Sequence, residues 1–320
     1  MGFAEPASDS VLALRARCAA ALQRNELVAR VLARITTGRC MLWLALGFAG
    51  WLRVDGAESP PVRVVSQFVG GDELLLALAA PEQIAALSHL GREPEFSAVA
   101  KQAARYPQIE RGDAESVLKF EPTLVLYADY SRAELVEQVR RSGVRTIRFD
   151  RYRSLEDAYA NLRLLAKELG PAAEARAEAI VADCEARVRA LAEKLKTVKP
   201  VRVIAPSTYG VIGGAETTFQ DLCDHAGAIN LAATLGGLRG HQPPPNERML
   251  TWPIDRVVVA GDSLEGALAP FLELPPYKFM AAVKERRAAL IEPYMLSSVT
   301  QHRVEGYERL ARELHPEAFP

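Results

Sequence analysis

Residues 171–197 contain no glycine and, after Pro171, no proline, and they are rich in Ala, Glu, Arg and Lys. Gly170 and Pro171 punctuate the start, since glycine closes a preceding helix and proline suits a first helical position. Cys184, Val188, Leu191, Leu195 and Val198 recur at spacings of four, three, four and three, which is one apolar stripe down a helix. Such a helix is roughly 40 Å long at 1.5 Å per residue. It fits a single rod joining two lobes, or one strand of an intermolecular coiled coil, although about three heptads with alanine-rich flanks make a weak zipper. A scaffold dimer held by this segment is therefore one reading of the chain.

On both sides of the rod, short β-like runs alternate with amphipathic helical stretches, the signature of an α/β protein. Before it, strands are expected at 62–66, 84–88, 123–128 and 144–150, with helices at 72–79, 131–141 and 154–168 and a short one between 113 and the break at Pro122. After it, strands are expected at 201–205, 256–261 and 288–292, and helices near 215–226, 246–251, 277–287 and 298–314. The chain divides into residues 1–57, a first lobe at 58–169, the long helix at 170–199 and a second lobe at 200–320.

Residues 41–52, MLWLALGFAGWL, are too short to span a membrane comfortably. Arg30, Arg34 and Arg39 precede them and small residues follow near Gly56-Ala57, the order of an export signal, with a short buried helix as the alternative. Met41 is an alternative start, and Cys40 precedes the apolar run, a poor place for lipid attachment. Without residues 1–57 the chain keeps 32 Lys/Arg and 36 Asp/Glu, a mildly acidic balance with no basic cluster for nucleic acid. Cys184 and Cys223 remain and read as two buried thiols rather than a disulfide framework.

Catalytic signatures are absent from the sequence: no G-x-S-x-G, H-E-x-x-H, C-x-x-C or Walker A pattern occurs, and no two of the five histidines have close metal-ligand spacing. Neither a catalytic residue nor a metal site is assigned, although a two-domain periplasmic enzyme assembled from distant residues is the rival reading. The run Gly70-Gly71-Asp72-Glu73 follows a strand and opens a helix, as phosphate loops do. Its two acids would crowd the helix start where an anion should sit, which argues against a nucleotide there.

Ser66, Glu73, Leu75, Leu78, Ile84 and Ser88 together resemble the opening of the helical-backbone periplasmic solute-binding proteins. Those proteins serve importers of cobalamin, ferric siderophores, haem and metals. Val69-Gly70 stands where that family has Pro-Ser. DAESVLKFEPTLVLYAD, TTFQDLCDHAGAINLA, NERMLTWPIDRVVVAG and YKFMAAVKERRAALIEPYM resemble later family segments in the same order, around one long helix. The resemblance implies two three-layer lobes joined by that helix, a ligand cleft between them, and export to the periplasm. It also implies a monomer that binds a small molecule and docks onto a membrane transporter permease through one surface glutamate per lobe, matched by Glu73 and Glu247.

Ligand contacts are expected in loops after the strands. In the first lobe these are Gln67, Phe68, Val69 and Gly70, then Ser88 to Arg92, then Asp129, Tyr130 and Tyr152. In the second they are Ser207, Thr208, Tyr209, His241, Asp262 and Tyr294. His89, Asp129, His241 and Asp262 are too few and scattered for a bare metal ion. Arg92 and Arg239 are few arginines for a ferric siderophore. Haem could take Tyr130, Tyr209 or His241 as axial ligand. The aromatic character favours a bulky, largely hydrophobic ligand, whether a corrinoid, haem or a sterol-like lipid, carried as cargo with no resident cofactor.

Overall fold

The computed structural model describes residues 62–110 and 112–320; the export signal expected at residues 1–57 lies outside them. Strands β1 (Val64–Ser66), β2 (Ile84–Ala86), β3 (Leu124–Ala128) and β4 (Arg145–Phe149) form a parallel sheet in the order β2-β1-β3-β4. Strands β5 (Val201–Ile204), β6 (Ala228–Asn230), β7 (Arg256–Ala260) and β8 (Ala288–Ile291) form a second in the order β6-β5-β7-β8. The two lobes thus share one strand order, and the helices between equivalent strands correspond. In the first lobe these are α1 (Val69–Leu78), α2 (Ala114–Leu118) and α3 (Ala133–Arg141), followed by α4 (Leu155–Leu169). The rod is α5 (Pro171–Leu195), and the second lobe contributes α6 (Thr218–His225), α7 (Asn246–Met249), α8 (Leu264–Glu273) and α9 (Arg303–Leu314).

Each sheet is apolar on both faces because successive strand residues point to opposite sides. Val64, Leu124 and Leu126 face one core while Val65 and Val125 face another. Val203 and Val258 likewise oppose Ile204, Val257 and Val259. One of these cores is common to both lobes. It runs along α5 through Ala173, Ala177, Val181, Cys184 and Leu191, and takes in α1 and α4 on one side and α6 and α9 on the other.

Polar contacts fasten the rod at both ends. The Arg176 guanidinium donates to the Leu78 carbonyl at the end of α1, 2.8 Å from Nε, and Arg187 forms a bidentate pair with Glu308 of α9 at 3.0 and 2.9 Å. Arg163 of α4 pairs in the same way with Glu178 of α5. The long helix is thus the packed junction of two lobes within one chain, with its apolar stripe consumed internally. Both Cys184 and Cys223 are free and buried.

Three expectations need correction. Helix α1 begins at Val69 rather than 72, so both glycines lie in its first turn. Strand β6 and helix α8 were not expected; β6 has three residues, and α8 contains Gly266 and Pro270, residues that ordinarily interrupt helices. The helices expected at 277–287 and 298–314 shrink to Ala281–Lys284 and α9.

A buried acid anchors α1 to β2. Asp72 is wholly buried and accepts hydrogen bonds from the Ser88 amide (3.0 Å) and hydroxyl (2.5 Å) just beyond that strand. Burial pushes its pKa from 3.8 up to about 7, although the Ser88 hydrogen bonds oppose the shift. The folded state therefore holds this proton more tightly than the unfolded chain does. The associated stability is complete below pH 3.8 and is lost as pH rises toward 7. Asp72→Asn keeps an acceptor but cannot ionise, so its stability relative to wild type should rise by at most about 1.4 kcal/mol per pH unit across that window. Urea denaturation at several pH values measures this difference. Leu165→Ala, at a fully buried position of α4 in the shared core, should cost about 2–5 kcal/mol in the same assay.

Candidate functional site

Because every strand of a parallel sheet ends on the same side, the loops after the first lobe's strands gather at one edge. A cavity of about 280 Å³ opens there. Gln67, Phe68, Val69, Gly70 and Glu73 line it from the β1–α1 junction, and Ser88, His89 and Leu90 from the segment after β2. Phe96 and Tyr130 complete the first lobe's share, and Ser297, Ser298 and Val299 close it from the second lobe.

Gly70 permits that closure. A Cβ there would come within 2.6 Å of Val299 Cγ2 and 3.0 Å of the Phe68 ring, so a side chain would push the second lobe off α1. Phe68 is itself held against Phe149, with ring centroids 5.6 Å apart.

Eight expected residues are brought together here: Gln67, Phe68, Val69, Gly70, Ser88, His89, Leu90 and Tyr130. Asp129 is exposed beside Tyr130, and the Tyr152 ring lies 6.4 Å from that of Tyr130, centroid to centroid. The second lobe's expected residues do not line the cavity. Ser207, Thr208 and Tyr209 follow β5 in a loop whose Tyr209 amide donates to Ser207 Oγ at 3.1 Å. His241 sits in a two-residue strand paired with Ile212–Gly213, and Asp262 is exposed after β7. Tyr294 turns inward to donate to Glu305 at 2.9 Å. Among the described residues, no three His, Cys, Asp or Glu side chains are grouped to hold a metal ion.

Glu73 was expected on the surface, and here the structure corrects the sequence reading. It is only 2% exposed, and its carboxylate accepts from the Ala98 amide at 3.0 Å and from Thr300 Oγ1 at 2.6 Å. Burial raises its pKa, partly opposed by the neighbouring His302 and by those two donors. A carboxylate so enclosed joins the lobes and offers no oxygen to an outside protein. Glu247 is exposed as expected.

Further bonds hold the lobes together around the cavity. Arg303 of α9 is buried against Asp221 of α6 at 2.6 Å and donates to the Tyr152 carbonyl of the first lobe. Tyr307 donates to the same Asp221. Glu216, in a left-handed conformation at φ 64°, is flanked by Arg239 and by Arg153 of the opposite lobe, the latter 3.8 Å away.

Phe96, Ser297, Ser298 and Val299 were missed by sequence reasoning. They lie in irregular backbone, and Ser298 and Val299 fall in a run expected to be helical. No periodicity marks such residues; only the fold carries them to the cavity.

The sequence from 64 to 295 matches the periplasmic binding protein family. A curated relative, an uncharacterized ABC transporter substrate-binding lipoprotein, YvrC of Bacillus subtilis, is 22% identical over 82% of each chain. Among solved structures, the periplasmic heme-binding protein RhuT of Roseiflexus superposes with a TM-score of 0.69 at 23% identity, covering 81% of this chain and 99% of that one. A periplasmic heme-binding protein of Pseudomonas aeruginosa gives 0.68 at 24%, covering 81% and 95%. The periplasmic vitamin B12 binding protein BtuF of Vibrio cholerae gives 0.62 at 14%, covering 82% and 99%. The two like-ordered parallel sheets, the single helix that joins them and the family match over most of the chain lead to one conclusion: this chain belongs to the periplasmic binding protein family and is a solute-binding protein, not an enzyme.

Proposed function

We propose that the protein captures haem outside the cytoplasm and delivers it to an ABC permease. The observation that carries this reading is a pair of tyrosines in loops that follow strands of the two lobes, Tyr130 after β3 and Tyr209 after β5, which are 74% and 86% exposed. Large aromatic side chains left in water suit a bulky ligand with an apolar face, and a tyrosine phenolate is a recognised axial ligand of haem iron. The cavity has an apolar wall in Phe68, Leu90, Phe96 and Tyr130 beside polar groups, and it admits only part of such a molecule. One edge of the ligand enters it while the rest lies against the tyrosines. The haem-binding proteins among the structural neighbours support the same choice.

Haemin titrated into the protein should give a shifted Soret band at one equivalent, and Tyr130→Ala or Tyr209→Ala should weaken binding about tenfold or more. Binding of cyanocobalamin, a ferric siderophore or a sterol in place of haemin would reject this reading in favour of that ligand class.

Docking follows from the internal symmetry. Strand order makes β3 equivalent to β7, so α2 corresponds to α7. Glu115 and Glu247 occupy the same position, second in the first turn of these helices, and both are exposed. They form a matched pair, one per lobe, which Glu73 and Glu247 do not. The two segments DAESVL and PNERML, each ahead of a proline and a strand, were the available sequence signal. The double variant Glu115→Ala/Glu247→Ala should bind haemin as wild type does yet lose most uptake in cells that depend on it, measured with labelled haem. Unaltered uptake would remove the pair from the docking surface.

A further inference from the structure

We infer that the amino end of α1 and Ser298 form a subsite for a carboxylate carried by the ligand; this deepens the haem reading and rests on it. Helix α1 has ten residues, and its N-cap Phe68 offers no side-chain hydrogen bond. Its first internal bond runs from the Asp72 amide to the Phe68 carbonyl, at 3.0 Å. The amides of Val69, Gly70 and Gly71 therefore have no acceptor among the described residues. Phe68, Val69 and Gly70 line the cavity, so this uncapped turn faces it.

A second group points to the same occupant. Ser298, on the second lobe's wall of that cavity, is 8% exposed, and its buried hydroxyl has no hydrogen-bond partner. Peptide amides can only donate, and the hydroxyl can donate as well, so the complement is an acceptor. The partial positive charge at a helix start makes an anionic acceptor the better one.

The helix's own acids do not fill this place. Asp72 is turned away and spent on Ser88, and burial favours its neutral form. Both Glu73 oxygens are taken, by Ala98 and Thr300. Haem meets the requirement, since it carries two carboxylate arms on one edge, the edge that would enter the cavity.

Affinities for haemin and for haemin dimethyl ester, compared on the full protein, test the inference. Wild type should prefer haemin about tenfold or more, as charge-assisted bonds to a carboxylate disappear on esterification. Ser298→Ala removes the hydroxyl, and Val69→Pro deletes one amide at a position where helices accept proline. Each should cut the preference about three- to tenfold, with circular dichroism confirming an intact fold. Equal wild-type affinities for haemin and ester would overturn the subsite while leaving the haem reading standing. A preference undiminished in both variants would overturn it too, and would assign the carboxylate to a group outside this turn. Failure to bind either compound would overturn the haem reading and the subsite with it.

Discussion

The continuous apolar core along α5 is the constraint on which the rest of the molecule depends. A helix this long cannot be stabilised by propensity alone, since helices in water gain most from packing an apolar face. Here that face is divided. Ala173 and Ala177 are small enough to let α1 and α4 approach closely, whereas Val181, Cys184 and Leu191 continue the same core into the second lobe. Each lobe supplies what the other half of the helix needs in order to be buried. Arg176 and Arg187 add a polar fastening to either side, bonded to Leu78 and Glu308.

That junction fixes how the lobes face one another, and the cavity follows from it. The second lobe reaches the first through the segment from Ser297 to Arg303. Val299 packs on Gly70, Thr300 donates to Glu73, and Arg303 carries its charge to Asp221 while donating to backbone of the opposite lobe. Burying Glu73 and Arg303 would be prohibitive without these partners. With them, the two groups hold one relative placement of the lobes, and the uncapped start of α1 is kept open beneath the second lobe's wall.

Much of the architecture could be read from residues 62–320 without coordinates. Strands rich in Val, Leu and Ile, separated by amphipathic helices and bounded by Gly and Pro, marked most elements within a few residues. Reading failed where the local signal was thin or contrary. Strand β6 is only three residues long, and α8 carries Pro270 and Gly266 inside it. For the site, the stretch Gln67 to Gly70 and Tyr130 were legible because parallel sheets expose their carboxyl ends. Ser298 and Phe96 were not, since neither lies on an element with a repeating pattern. Glu73 was misjudged because a glutamate in a first helical turn is usually solvated, and nothing local announces that another lobe will cover it.

The sequence by itself determined the α/β class, the long helix and the order of its flanking elements. These rest on periodicity and on turn chemistry, which act between near neighbours. Only the tertiary structure decided which charges are buried, which glutamates form an exposed pair, and why two glycines open α1. Those outcomes depend on residues far apart in the chain, Gly70 with Val299 and Glu73 with Thr300 being more than two hundred positions apart. The glycine pair that resembles the start of a phosphate loop is, in the folded protein, a place where two lobes meet closely enough to leave helix amides facing a cavity.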